Sequence, residues 1–236
     1  MRSAQDLEPA FVLNRRPYRE TSLLVEAFTA GAGRIGLVAK GARRSKSQLA
    51  GALEPFRPLL LSWRGAGELF TLTLAERDDS LSLPHIWQVK SGFYVNELLL
   101  RLVHRHDPFP VLFEDYRQVL RGILVPEREE AALRVFEKRL LAAIGYGLSL
   151  DREAGTGAPV VRGQRYGYRH GVGFVRARGD GDTPGAGITV AGDTLMALAR
   201  EELEAPGALR EAKLLMRHVL RGYLGAAPLA SRMLYR

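Results

Sequence analysis

The chain contains no cysteine among its 236 residues. This absence excludes disulfides, thiolate zinc sites and cysteine nucleophiles, and it fits a reducing compartment. No apolar run approaches the roughly 18–20 residues that a membrane-spanning helix needs. Asp6 and Glu8 stand where a signal peptide would have its apolar region. We therefore expect a cytoplasmic protein that has no membrane partner.

Motifs of common catalytic sites are also missing. The sequence contains no nucleophile elbow, zinc-protease histidine pair or phosphate-binding P-loop. Gly31, Gly33 and Gly36 have the spacing of a dinucleotide fingerprint, but a strand, not a helix, is predicted to follow them. His104 and His106 fall on different faces of a predicted helix, so they cannot easily share an ion. We predict no catalytic residue, no metal and no cofactor.

Acidic residues are the minority, with 26 Asp and Glu against 34 Lys and Arg, and the net charge is +8. The excess is concentrated in two segments. Residues 15–57 hold nine cations and three acids, and residues 207–236 hold six cations and one acid. Two basic segments on a slightly acidic body favour attraction of a polyanion over general solubility. A merely solvated loop is the alternative for the first segment.

The first third of the chain reads as β-structure. We predict strands at 9–14, 20–29, 34–39, 56–63 and 68–76, with glycine-rich turns at 31–33 and 65–67. Five short strands in about 70 residues fit a small closed barrel. The OB-fold is the commonest nucleic-acid-binding version of such a barrel, and the pattern leaves an SH3-like barrel open.

Helical periodicity follows, and it predicts helices at 85–105, 109–124, 128–144, 193–203 and 207–223. Asp193 is the predicted N-cap of the fourth helix. Residues 145–192 hold 13 of the 25 glycines, and a hairpin is predicted around 166–175. The predicted fold is α+β, with an OB-fold domain at 1–80, a helical domain at 81–236, and an irregular Gly/Arg-rich insertion at about 146–192.

A glycine-hinged loop at 38–47 carries four cations and no acid. Such a loop on a β-module suits a phosphate backbone better than a small substrate. Most aromatic residues near the barrel are predicted to be core, and Tyr18 is the best candidate for exposure. The predicted DNA-binding residues are the cations of the two basic segments: Arg15, Arg16, Arg19, Arg34, Lys40, Arg43, Arg44, Lys46, Arg210, Lys213, Arg217 and Arg221.

Several segments together resemble the bacterial RecO family of DNA repair and recombination mediators. They cover nearly the whole chain in order, at 11–23, 33–44, 94–99, 133–137, 145–148 and 223–232. The resemblance implies an OB-fold followed by a helical domain with a treble-clef-like insertion. It also implies binding of single- and double-stranded DNA, strand annealing, and work with RecR to load RecA onto DNA coated by single-stranded-DNA-binding protein (SSB). We expect a nucleoid-associated, non-enzymatic protein that is monomeric alone.

The insertion departs from the family pattern. Many RecO-like sequences carry cysteines there that hold zinc, whereas Glu153 stands near the first of those positions. We expect the insertion to hold its shape without metal, through packing of Tyr166, Tyr168 and Phe174.

A partner site and two rival functions complete the predictions. Arg134 and Leu141 match positions that resembling proteins use to hold the acidic C-terminal tail of SSB. One rival is an RNA-binding OB-fold adaptor; because nothing in the sequence reads a 2′-hydroxyl, only competition between DNA and RNA oligonucleotides distinguishes it. The other is a structure-specific nuclease that would use Asp78 and Asp79.

Overall fold

The computed structural model describes residues 7–47, 49–78, 90–177, 185–225 and 228–231. The chain forms two compact units. The first, here the barrel unit, is Met1–Leu124 with Pro228–Arg236, and the second, here the helical unit, is Val125–Ala227. The predicted domain boundary between residues 80 and 81 lies outside the described residues, as does the predicted start of the first long helix, and both remain predictions.

Five strands form the barrel close to where the sequence predicts them: β1 Glu8–Tyr18, β2 Ser22–Thr29, β3 Gly33–Ala39, β4 Pro58–Arg64 and β5 Leu69–Arg77. Their order is β1-β2-β3-β5-β4, and β4 pairs back onto β1 to close the barrel. The pairing of β3 with β5 is parallel, and the other pairings are antiparallel. This closed five-strand order is that of the OB-fold, so the predicted fold is confirmed and the SH3-like alternative is wrong.

The inner face of the barrel is filled by small and branched side chains, including Val25, Ile35, Leu37 and Leu59. A short helix, α1 Leu49–Ala52, lies between β3 and β4. Two longer helices, α2 Lys90–Leu102 and α3 Pro110–Ile123, complete the unit.

The outer face of the first two strands is buried as well. The rings of Phe11 on β1 and Phe28 on β2 pack against Phe113 of α3 at centroid distances of 5.6 Å each. Burial on both faces explains why β1 and β2 read as nearly continuous apolar runs instead of alternating ones. The same faces anchor α3 to the barrel.

The helical unit contains three helices, α4 Pro126–Ala143, α5 Gly192–Arg200 and α6 Pro206–Leu224. Its three strands are β6 Arg165–Arg169, β7 Gly173–Arg176 and β8 Ile188–Ala191, in the order β7-β6-β8. The predicted hairpin is therefore confirmed as β6–β7. The third strand, β8, was not predicted, because four apolar or β-branched residues directly before a helix carry no usable period.

Two predicted helix ends are wrong. Asp193 lies inside the first turn of α5, where Ala191 takes the N-cap position, and its carboxylate accepts the N–H of Gly163 at 2.8 Å. The same helix ends at Arg200, and Glu201 follows in the left-handed region with φ 64°. Pro110 and Pro126 begin α3 and α4, at the first helical position, where a missing N–H costs nothing. Among the described residues, no helix is long and apolar enough to cross a bilayer.

Candidate nucleic-acid interface

Six exposed cations gather where the β1–β2 turn meets the loop after β3. The backbone N–H of Arg43 donates to the carbonyl of Thr21 at 2.8 Å. The Arg43 guanidinium also donates to the carbonyls of Arg19 and Glu20, both at 3.3 Å. These bonds hold the two loops together. We call the resulting surface the basic cluster, and its members are Arg16, Arg19, Lys40, Arg43, Arg44 and Lys46.

The positive charge of the basic cluster is not neutralised internally. In the part of the chain that the structure describes, no carboxylate forms an ion pair with any of its six members. The guanidinium of Arg19 lies 5.2 Å from the ring centroid of Tyr18, which is half-buried. Because unpaired exposed cations attract phosphate, this surface is suited to a polyanion.

Two predicted members lie apart from this cluster. Arg34, at the opposite end of β3 from Lys40, donates through Nε to Val103 O at 3.0 Å and pairs with Glu26 at 3.3 Å. Burial lowers the pKa of Arg34, and its neighbour Arg105 lowers it further against the opposing effect of Glu26. Lys40 is six positions after Arg34 along the strand, roughly 20 Å at the usual rise. Arg34 is therefore engaged in an internal ion-pair network.

Arg15 is also only partly available, because it is half-buried and its guanidinium lies 4.0 Å from Glu54. Arg105 was not predicted. Its guanidinium joins the network around Glu26, and the hydrogen bond to that carboxylate is the chief cause of its raised pKa. Nothing in the local pattern indicates this role. It arises because the segment after α2 bridges to β3 at Arg34.

The barrel aromatics divide into core and surface. Phe11, Phe28 and Phe56 are buried, as predicted. Trp63 and Phe70 are only partly buried, and their ring centroids lie 6.4 Å apart. Their planes are inclined by 54°, so a base can stack on one partly exposed ring but not on both at once.

The C-terminal basic segment forms a stripe along α6. Arg210, Arg217 and Arg221 are exposed and recur at helical spacing, with the 54 % exposed Leu214 between them. Lys213 is different, because its ammonium pairs with Glu130 at 2.6 Å. The stripe is therefore a second cationic surface, made of three of the four predicted residues.

The two residues predicted to hold the SSB tail are both buried. Arg134 Nη2 donates to Glu137 at 2.6 Å, and Nη1 lies 2.8 Å from Glu130. Leu141 is fully buried in the core of the helical unit. A tail carboxylate would therefore have to displace Glu130 from Arg134. Tail binding at these residues stays a prediction.

The insertion is held by aromatic packing and main-chain bonds. The hydroxyl of Tyr166 accepts the N–H of Val161 at 2.9 Å, and the rings of Tyr168 and Phe174 lie 5.3 Å apart. All three rings are buried. Within the described ranges no group of three or more His, Cys, Asp or Glu side chains could hold a metal ion.

Comparison with known proteins identifies the family. The model of the Recombination protein O N terminal family matches residues 1–80, and that of the C-terminal family matches residues 90–233. The chain belongs to the RecO family. Proteins named DNA repair protein RecO are 48 % identical in Nitrosococcus oceani (96 % of this chain, 91 % of the relative) and 46 % identical in Methylococcus capsulatus (98 % and 93 %). The Photobacterium profundum protein is 41 % identical (98 % and 96 %).

Membership in the RecO family confirms the resemblance read from the sequence and identifies a DNA repair protein. It also fits the OB-fold barrel found at the N-terminus, which the first family model covers in full. The six members of the basic cluster lie in the RecO N-terminal region, whereas the α6 stripe lies in the C-terminal region.

Proposed function

We propose that this protein is a non-enzymatic mediator of DNA repair and recombination that binds single- and double-stranded DNA and anneals complementary strands. With RecR, it helps RecA to load onto SSB-coated single strands. Annealing needs no active site, because it requires only that cations neutralise two phosphate backbones while the bases remain free to pair. The cytoplasm, and within it the nucleoid, is where such a substrate is found.

The observation that carries the proposal is the basic cluster. Six exposed cations, on the end of β1 and on two loops that the bonds of Arg43 join, have no carboxylate partner among the described residues. Side chains of this kind contact phosphates and carry no base preference. The expected binding is therefore strongly dependent on salt and nearly independent of sequence.

The first experiment measures that salt dependence. Replacing Lys40, Arg43, Arg44 and Lys46 with Ala should flatten the slope of log affinity against log salt for single-stranded DNA, by about 0.7 per lost phosphate contact. The matched control replaces four exposed arginines outside the cluster, Arg121, Arg128, Arg176 and Arg200. If both quadruple variants change the slope equally, the cluster has no special role and only net charge matters.

The second experiment measures annealing directly. Fluorescently labelled complementary strands are coated with SSB and mixed with the wild-type protein, the cluster variant or buffer. We expect the wild-type protein to accelerate annealing and the cluster variant to lose most of that acceleration. RecA filament formation on the same strands, with and without RecR, tests the loading step. Annealing at the buffer rate with the wild-type protein would contradict the proposal.

The RNA-binding alternative is tested by competition. Since the basic cluster offers only cations, binding through it does not distinguish a 2′-hydroxyl, and DNA and RNA strands of equal length should compete similarly. A preference for RNA of tenfold or more would favour the adaptor. A nuclease is tested by magnesium-dependent cleavage; of its proposed residues Asp78 is half-buried, and Asp79 lies outside the described residues.

Binding of the SSB tail is tested at Arg134 and Glu130. If Arg134 pairs with the tail carboxylate, Arg134→Ala should weaken binding of a tail peptide by about 1.5–3 kcal/mol, the range for a charged hydrogen bond. Glu130→Gln should strengthen it, because Glu130 is the carboxylate that the tail must displace. Fluorescence anisotropy reports both changes. Unchanged affinity in both variants places the tail elsewhere.

A further inference from the structure

A cavity of about 690 Å³ opens in the helical unit, and no member of the basic cluster lines it. Its wall includes the turn after α4, the glycine-rich loop at 152–157, the β6–β7 turn and the end of α6. Five aromatic side chains contribute to the wall together with Arg152: the buried Tyr168 and Phe174, and the more exposed Tyr146, His170 and Tyr223. None of these residues belongs to the predicted DNA-binding or tail-binding sets.

Tyr146, Tyr223 and His170 form a row of contacting rings, here called the ladder. The ring of Tyr146 lies on that of Tyr223 at a centroid distance of 4.5 Å and an interplanar angle of 34°. On the other side, Tyr223 contacts the His170 ring at 4.9 Å. His170 itself sits so close to Gly222 that a Cβ there would overlap its ring. The ladder ends at Tyr146, which is 52 % exposed.

The end of the ladder is held in place by the cap of α4. Gly145, with φ 86°, donates its N–H to Ala142 O at 3.1 Å, and Tyr146 donates its N–H to Leu141 O at 2.7 Å. These two bonds are the Schellman motif. An apolar residue at this position often folds back onto the last turn of its helix, whereas Tyr146 stacks on α6 and keeps half of its surface in solvent. A ligand therefore meets a ring that is already ordered.

The polar groups around the cavity indicate the class of ligand. Arg152 is exposed, and among the described residues its guanidinium donates a hydrogen bond only to the carbonyl of Gly157, at 3.1 Å. Glu153 is also in the wall, and its carboxylate accepts the hydroxyl of Thr156 at 3.2 Å. The exposed guanidinium has further N–H donors that a polar ligand can accept from, whereas an aliphatic side chain has no acceptor to offer them. A nucleobase has a flat face for Tyr146 and polar edges for the rim.

We propose that Tyr146 stacks one base of single-stranded DNA in this cavity, as a second strand contact separate from the basic cluster. The inference rests on the proposed DNA-binding function and adds a site to it. Base–aromatic stacking tolerates any sequence, since every base has a π-face. A protein that anneals strands gains from a contact that holds bases by stacking, because such a contact requires them to be unpaired.

The test uses the full-length protein and a 5-iodouracil-substituted oligonucleotide. Irradiation should crosslink the DNA to Tyr146, located by mass spectrometry of the digested protein. Tyr146→Leu keeps apolar contact with Tyr223 but removes the π-face, and we expect it to weaken single-strand affinity about five- to hundredfold. Tyr146→Phe should bind like wild type. The slope of log affinity against log salt should stay unchanged, because stacking releases no counterions.

Two controls separate this inference from the proposed function. Val161→Ala changes an exposed apolar residue of the same unit that does not line the cavity, and it should leave binding intact. Affinity for blunt double-stranded DNA should be equal in wild type and Tyr146→Leu. If Tyr146→Leu binds single strands as wild type does and no crosslink maps to residues 145–149, the inference is overturned and the basic cluster stands. If the wild-type protein binds no single-stranded DNA, both proposals fall.

Discussion

The side-chain amide of Asn96 on α2 donates to the main-chain oxygen of Leu13 at 2.8 Å, across 83 residues of sequence. Leu13 lies at the irregularity in the β1–β2 register between Val12 and Asn14, where its carbonyl is available to the helix. The hydroxyl of Tyr116 on α3 donates to the other end of the same amide at 2.6 Å. The buried side chain of Asn96 therefore joins α2 both to the barrel and to α3.

This junction predicts a large loss of stability when Asn96 is removed. Asn96→Ala leaves the Leu13 carbonyl and the Tyr116 hydroxyl buried without partners, and we expect a cost of about 2–4 kcal/mol. Tyr116→Phe removes one bond and should cost about half as much. Urea unfolding of the two variants measures both values. A cost below about 1 kcal/mol for Asn96→Ala would mean that water replaces the amide.

Substitution by Ala should destabilise the protein more at Gly33 than at Gly67. Gly33 has φ 68°, and a Cβ there would overlap the carbonyl of Asp107, whereas Gly67 has φ 88° with open space around it. Both substitutions to Ala strain the backbone, by about 1–2 kcal/mol. Only Gly33→Ala also forces the 104–107 segment off β3. Thermal unfolding should therefore show Gly33→Ala as clearly the more destabilised variant, and equal melting temperatures would contradict this.

Removal of the Glu211 carboxylate on α6 should weaken the first turn of α5. Its carboxylate accepts the N–H of Ala191 at 3.0 Å and the hydroxyl of Thr194 at 2.7 Å, and it pairs with Arg165 at 3.1 Å. Burial opposes ionisation, but these bonds outweigh burial and lower the pKa of Glu211. Glu211→Ala should cost about 1–3 kcal/mol. Hydrogen exchange should show the loss at residues 188–195, whereas the amides of the barrel unit should keep their protection.

The free energy of unfolding should fall as the pH is lowered through the titration of His218. Burial lowers its pKa, and the positive charges of Arg221 and His170 add to the effect. The unfolded state therefore binds the proton more tightly than the folded state does. This contribution is fully present above the unfolded pKa of about 6.5 and is lost as the pH falls below it. His218→Gln should lose less stability than wild type between pH 7 and pH 5, as denaturant titrations at each pH measure.

The metal content of the protein is the simplest prediction to check. With no cysteine in the chain, a closed four-ligand zinc shell would need histidines and carboxylates. Elemental analysis of protein purified without chelators should give well below one zinc per chain. A stoichiometric value, retained through dialysis, would contradict the prediction. Addition of a chelator should also leave the melting temperature unchanged.

The sequence by itself determined the family and most of the elements. Alternation of apolar residues and glycine-rich turns predicted five barrel strands, because the side-chain period of a strand is a local property. Proline and glycine are local signals of the same kind, since proline fixes its own φ and glycine admits the positive φ that other residues avoid. The charge excess at 15–57 also indicated a phosphate-binding surface before any contact was known.

Only the tertiary structure decided what each charged residue does. Arg34 and Arg43 look alike in the sequence, yet Arg34 is paired with Glu26 and Arg43 ties two exposed loops together. Arg134 interrupts an apolar helix stripe, which does not tell whether it faces solvent or a buried carboxylate. The parallel β3–β5 pairing was equally beyond reach. Arg34, Arg43 and strand β3 have partners on other elements of the fold, whereas Arg134 is paired on its own helix, on a face that is buried. Local periodicity in the sequence indicates neither a distant partner nor the burial of that helix face.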